Sequence, residues 1–468
     1  MIYIIIGLLL SCFLITLLLR KPLHLSIVIL SSTLLSLILL TLSFAPEVQN
    51  ITDLLLTDSV YPLDLLGITV TGSILFSLIL LLIAFSEITH LINSSKHSVS
   101  SDAQRLLLLY CIFGGAFIFS NNILVLSISL FALMLIFFFS KTIKSDNYNF
   151  SYLLFNVLGG TLFLVAISLL NTGQLLESFN LLNLFDSYFY SNDYSNLKDF
   201  RLDKTFLITL FFFIPLIFTN SLFPLSHCFF KKLDEYSPAN LFIFALPNII
   251  FLSFIIKFKS FNPLLLELLQ IYIVTNIVVH SFHTLLSRSM KKLIFHTYQL
   301  LTSFIAIGLI HYSNQSYNAS IFLVSISTIL FTCIVFTLSQ FEMKNIPEHL
   351  DELSAKRLST PKASLTLTLL TITYTLPVGP SFLGVLTILQ ESSQTNEVYF
   401  YFLPLVFLLP ALMTLYLLYN FFYSNKSILS TKDISFVDLS PILPLMIIIC
   451  LILFKFNSTL SNTPFSGS

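Results

Sequence analysis

Charge is what this chain has least of. Only 10% of its 468 residues are Asp, Glu, Lys or Arg, where a soluble domain carries about 25%. Net charge is zero and no basic tract stands out, which argues against nucleic acid as a partner. Tryptophan is absent altogether. The five cysteines, Cys12, Cys111, Cys228, Cys333 and Cys450, are isolated from one another, with no C-x-x-C pair and no His/Cys cluster. That spacing excludes iron–sulfur, haem-attachment and zinc sites and leaves small buried hydrophobes. The stretch from Met1 to Leu19 lacks the basic start of a signal peptide and the Arg/Ser-rich pattern of a transit peptide. It begins as a membrane helix, as expected of a protein inserted in the compartment where it is made.

What the chain does have is apolar surface. Hydrophobic residues make up 56% of it, 49 of them Phe, and no soluble fold could cover that much, so lipid is the expected solvent. The Phe and Ile excess fits an AT-rich organelle genome. Runs long enough to span, about 20 residues at about 1.5 Å each, fall at 2–20, 24–44, 65–86, 104–120, 122–140, 150–171 and 204–227. Others follow at 238–260, 263–287, 290–311, 318–341, 362–389, 399–422 and 439–456, fourteen spans in all. The loops check that count. Connections after odd-numbered spans hold 17 of the 23 Lys and Arg residues, and those after even-numbered spans hold the other 6, Lys257 and Lys259 among them. By the positive-inside rule both termini face the outer side and the odd loops face the matrix or cytoplasm.

The stretch 204–260 organises the rest. Its first span is interrupted by Pro215 and closes on Phe223-Pro224-Leu225-Ser226-His227; its second carries Pro247-Asn248. Span twelve breaks at Thr375-Leu376-Pro377-Val378-Gly379-Pro380, five spans later. Broken helices in corresponding places are the mark of inverted repeats with a site at mid-membrane depth. The expected architecture is an all-α polytopic membrane protein of about fourteen transmembrane helices, with two inverted five-helix repeats whose helices 7 and 12 are broken. Expected domains are residues 1–103 as an N-terminal three-helix segment, 104–260 and 261–422 as the repeats, and 423–468 as a last helix and tail. The long connections 172–203 and 342–361 read as solvated segments, the second helical, with Glu352 and Lys356 at i, i+4.

Four places resemble the antiporter-like membrane subunits of respiratory complex I, the proton-translocating NADH:ubiquinone oxidoreductase. Ser120-Asn121-Asn122-Ile123-Leu124 is similar to the start of the family's fifth helix, and Ser221 to His227 with Ser237-Pro238 to its proline–His–Pro region. Ser289-Met290-Lys291-Lys292-Leu293-Ile294-Phe295-His296 resembles its Lys-Lys/Arg helix start, and Pro377 to Gly384 its broken twelfth helix. The resemblance covers about residues 63–420. Ending after fourteen spans, the chain lacks the lateral helix of subunit 5; Asn121-Asn122 and the absence of an acid just before Lys291 favour subunit 2 over subunit 4.

The departures are as informative as the matches. The resemblance implies a proton path through one glutamate and three lysines. The matching positions here are Phe131, Thr219, Asn248 and Val385. Independently of any alignment, the central parts of the spans contain no Asp, Glu, Lys or Arg. Intramembrane charges cost a few kcal/mol each, about 2.5–3.5 by insertion scales, and are kept where function needs them. Thr and Asn orient water but do not change protonation. Residual protonatable candidates are His280 and His283 on one face of span nine, Lys291, Lys292 and His296 at the start of span ten, and Glu87 with His90 closing span three. One reading makes the histidines and lysines a half-channel from the basic side. The favoured one makes the lysines interface anchors and the histidines interhelical hydrogen-bonders, with Glu87 at a helix-end interface.

The resemblance thus implies a non-redox membrane-arm subunit in the mitochondrial inner membrane, with no catalytic residue, metal or cofactor of its own. Flavin and iron–sulfur clusters are expected in other subunits, which are its expected partners together with lipids, cardiolipin among the candidates. The alternatives are a free-standing cation/proton antiporter, disfavoured by the missing charges, and an unrelated structural membrane protein, disfavoured by the paired breaks.

Overall fold

A computed structural model describes residues 2–19, 21–42, 69–93, 101–120, 123–142, 158–163, 241–258, 263–287, 289–310, 313–343, 380–395 and 440–461, with a few isolated positions elsewhere. Within them the chain is helical: α1 Ile2–Leu18, α2 Pro22–Leu42, α3 Val70–Asn93, α4 Ser101–Phe119, α5 Ile123–Thr142 and α6 Leu241–Phe258. Then follow α7 Pro263–Leu286, α8 Met290–Ile310, α9 Asn314–Met343, α10 Pro380–Thr395 and α11 Ile442–Ser461. Five segments are long and apolar enough to cross a membrane: Leu23–Thr41, Thr71–Leu91, Leu265–Leu286, Met290–Ile310 and Asn314–Glu342. Expected spans 6, 7 and 13 lie largely or wholly outside the described residues, as do Pro215, Thr219, Pro224, Pro377 and the loop 231–238.

The helices begin where local chemistry permits. Pro22, Pro263 and Pro380 each occupy the first helical position, where a missing N–H costs nothing. Thr69, Ser289 and Ser313 precede α3, α8 and α9, and their hydroxyls accept from the amides of Gly72 (3.0 Å), Lys292 (3.4 Å) and Ser316 (3.0 Å). Each caps an amide that the helix itself leaves unpaired. Pro247 lies inside α6.

The chain divides into two compact units, Met1–Leu225 with Leu246–Leu269, and Ser226–Ala245 with Gln270–Ser468. In the first, α1 packs on α2 and α4, α2 on α3, α3 on α4, and α4 on α5. Gly115 of α4 is filled by the Phe76 ring of α3, which would stand 2.8 Å from a Cβ there. Phe76 meets Phe119 edge-on at 5.4 Å, and Phe117 stacks on Phe254 of α6 at 6.4 Å. Outward on α1 and α2 stand Ile4, Leu10, Leu14, Leu17, Ile27, Leu34 and Ile38, all exposed and apolar, as a lipid-facing surface requires.

In the second unit α8 packs on α9 and α10, and α9 on α10 and α11. Met290–Ile310 is buried over its whole length. It is nonetheless rich in polar side chains, and the helix satisfies their hydroxyls itself. Thr297 donates to the Leu293 carbonyl (2.9 Å), Thr302 to Tyr298 (2.8 Å) and Ser303 to Gln299 (3.0 Å). Ser320, Thr332 and Thr337 do the same along α9.

Gly308 sets how closely α8, α9 and α10 approach. A Cβ there would fall 2.1 Å from Ser320 Oγ and 2.8 Å from Ile388 Cγ1. Gly308→Val is expected to destabilise the chain by about 1–3 kcal/mol, read as a lowered unfolding midpoint of the detergent-solubilised full chain. An unchanged midpoint would mean that the three helices have slack at this point.

Candidate functional site

Three of the four positions where the family resemblance implies charges lie among the described residues. Phe131 of α5 is half-buried and its ring lies against Gly160, where a Cβ would stand 2.5 Å from Phe131 Cδ2 and 3.4 Å from Met134 Sδ. Asn248 of α6 is fully buried directly after Pro247, and Val385 of α10 is fully buried. Next to Val385, Gly384 lets α10 press against α9, with Leu323 Cβ only 3.0 Å from a Cβ built there. None of these three side chains exchanges a proton. Thr219 lies outside the described residues.

Among the described residues, two groups of titratable side chains stand towards helix ends. In the second unit the end of α7 meets the start of α8. His280 Nδ1 faces His296 Nδ1 at 3.3 Å, and the His283 ring stacks on His296 with centroids 5.0 Å apart. Only one proton fits between two facing Nδ1 atoms, so one imidazole donates and the other accepts. His283 uses its own Nδ1–H on the Val279 carbonyl at 2.7 Å. His280 and His296 are buried, His283 is half-buried, Lys291 is buried and Lys292 half-buried at the same end. The cluster therefore links two helices through their ring nitrogens. Glu267, at the other end of α7, is exposed. Among the described residues no group of three or more His, Cys, Asp or Glu is placed to hold a metal.

In the first unit a second cluster forms where α2, α3 and α4 meet. Glu87 is fully buried six residues before the end of α3. Its Oε2 accepts from Gln104 Nε2 of α4 at 2.9 Å, and the same amide nitrogen bonds Ser26 Oγ of α2. Glu87 Oε1 and Gln104 Oε1 are buried acceptors with no hydrogen-bond partner. Beside them, Arg105 turns away. It donates from Nε to the Thr16 carbonyl (3.3 Å) and from Nη2 to the Leu19 carbonyl (3.0 Å), capping the end of α1. Stripping water from a carboxylate costs several kcal/mol. The nearby starts of α2 and α4 return only about 0.3–1 kcal/mol each.

Two contacts in this unit escaped the sequence. Gln104 and Ser26 are 78 residues apart and carry no pairing signal. Lys257, counted with a loop, stands in the last turn of α6 and donates to the Ser120 carbonyl at 2.8 Å, just past the end of α4.

With this geometry in hand, the chain can be set beside known proteins. No family profile and no curated protein matches it by sequence. Solved structures do. A chain of respiratory complex I from Thermus thermophilus with bound aureothin aligns over 96% of this chain and 97% of its own, with a TM-score of 0.69 and 15% identity. The same complex with bound NADH gives 97%, 96%, 0.69 and 14%. A chain of the membrane-bound sulfane sulfur reductase, an archaeal respiratory membrane complex, aligns over 98% and 95%, with a TM-score of 0.77 and 15% identity. The chain thus has the fold of membrane chains from two kinds of respiratory complex.

The Arg105 bridge makes a prediction. Hydrogen bonds to charged groups contribute about 1.5–3 kcal/mol each, so Arg105→Gln should loosen α1. In a Cys450→Ser background, the half-buried Cys12 of α1 should then react severalfold faster with a membrane-permeant maleimide. Unchanged Cys12 reactivity would show that packing alone holds α1.

Proposed function

We propose that this chain is a membrane-arm subunit of a proton-translocating NADH:ubiquinone oxidoreductase, of the antiporter-like kind and nearest subunit 2. Its role is to hold neighbouring subunits in register rather than to carry protons through its repeats. One observation supports this above the others: a fold shared end to end with chains of respiratory complexes, combined with Phe131, Asn248 and Val385 packed where that family's path needs charges. A proton relay requires groups that change protonation at each step. A phenyl ring and an isopropyl group cannot, and a carboxamide only orients water.

In this role the chain binds no flavin or iron–sulfur cluster; the redox chemistry belongs to partner subunits. Its exposed apolar faces meet lipid, cardiolipin being a candidate, and other membrane-arm subunits. The Phe- and Ile-rich composition favours the mitochondrial inner membrane, and the charge asymmetry of the loops favours both termini in the intermembrane space. His280 and His296 serve as an interhelical link through their facing ring nitrogens, while His283 Nδ1 bonds within its own helix.

Two measurements test this. On native gels of solubilised membranes the chain should co-migrate with NADH-oxidising activity; migration apart from it would remove the assignment to the complex. Replacing His280 by Leu and His283 by Phe together should leave the proton-to-electron ratio of the assembled complex unchanged. A lowered ratio with normal assembly would favour a half-channel on the basic side.

A further inference from the structure

The geometry points to Glu87 as a proton-binding site of this chain, placed in its N-terminal helical segment and not in the five-helix repeats. Glu87 is fully buried, and what faces it is neutral: the Gln104 amide on one oxygen at 2.9 Å, with Ser26 behind that amide. The other oxygen has no hydrogen-bond partner.

The charged groups nearby are all otherwise placed. Arg105, next to Gln104 on α4, spends Nε and Nη2 on the Thr16 and Leu19 carbonyls of α1. His90, one turn further along α3, is buried and makes its contacts with other residues. On α2, His24 is exposed in the first turn. Among the described residues no ion pair therefore offsets the loss of hydration that an ionised Glu87 would suffer. Helix N-termini at the starts of α2 and α4 favour the anion, but by less than burial disfavours it. The carboxyl keeps a proton, with Oε2 as its carbonyl oxygen bonded to Gln104 and Oε1 as its hydroxyl.

Its position makes that proton exchangeable. Ser26 and Gln104 lie in the first turns of α2 and α4, and Glu87 is about 9 Å of helix rise from the end of α3. Opening the last two turns of α3 reaches Glu87, and fraying at helix ends is the kind of local opening that costs least. A structural tie of α3 to α2 and α4 would need no acid, because the amide oxygen of a glutamine at residue 87 could accept from the Gln104 amide and the Ser26 hydroxyl alike.

The test is infrared spectroscopy on the full-length chain in membranes, comparing wild type with Glu87→Gln at neutral pH. The expected result is loss of a protonated-carboxyl C=O band that shifts in D2O. Superimposable spectra in that region would overturn the proposal. Should Glu87→Gln fail to insert, Gln104→Leu serves instead. It should keep the band and move it to higher frequency, since the carbonyl oxygen loses its donor, and an unmoved band would also overturn the proposal. Neither readout involves respiratory activity, so the outcome is separate from that of the complex I assignment.

Discussion

A membrane interior offers no water, so every polar atom that enters it must find its partner within the protein. The two helical units meet that requirement in a consistent way. Serine and threonine hydroxyls turn back on their own helices, as in Thr297, Thr302 and Ser303 of α8 and Ser320, Thr332 and Thr337 of α9. That solution lets α8 be buried throughout while carrying a polar sequence. It also frees the helix faces for close packing, which is why small residues such as Gly308 and Gly384 sit at the contacts with Ile388 and Leu323.

The charged and acidic side chains described in the first unit stand towards helix ends. In the first unit Thr16 and Leu19 at the end of α1, Ser26 at the start of α2, Glu87 near the end of α3, and Gln104 with Arg105 at the start of α4 all meet. Four successive helix ends thus share one side, which requires the chain to run up and down in strict alternation through them. Lys257 and Ser120 meet at the opposite end of α4. The charge asymmetry of the loops rests on the same alternation.

Much of this was legible in the sequence. Apolar runs marked most described helices to within a few residues, because hydropathy over some 20 residues is a strong signal in lipid. Span nine was drawn from residue 263, where α7 begins, while the break at 375–380 lies largely outside the described residues, with Pro380 opening α10. The clusters were harder to see. His280 and His283 share a face by spacing alone, but only tertiary structure brings His296 to 3.3 Å from His280. Glu87 read as a helix-end residue because span three was drawn to close at 86, whereas α3 continues to Asn93. Seven further residues turned an interface position into a buried one. Gln104 and Ser26, in different helices, had no period to reveal them.

One further point concerns whether a displaced charge could stand in for a missing one. Lys257 is the only amine within α6, and it follows Asn248 by nine residues. Nine residues are about 13.5 Å of rise and, at 3.6 residues per turn, about two and a half turns. Lys257 is therefore both far along α6 from Asn248 and on the opposite side of the helix. Its Nζ is engaged with a carbonyl beyond the end of α4, where it satisfies an acceptor that the helix leaves open. An amine so placed serves the helix end and not the middle of the bundle. The same distinction separates Glu87 from Phe131. Among the described residues Glu87 and Lys257 stand towards helix ends, whereas Phe131 lies within α5 with its ring against Gly160.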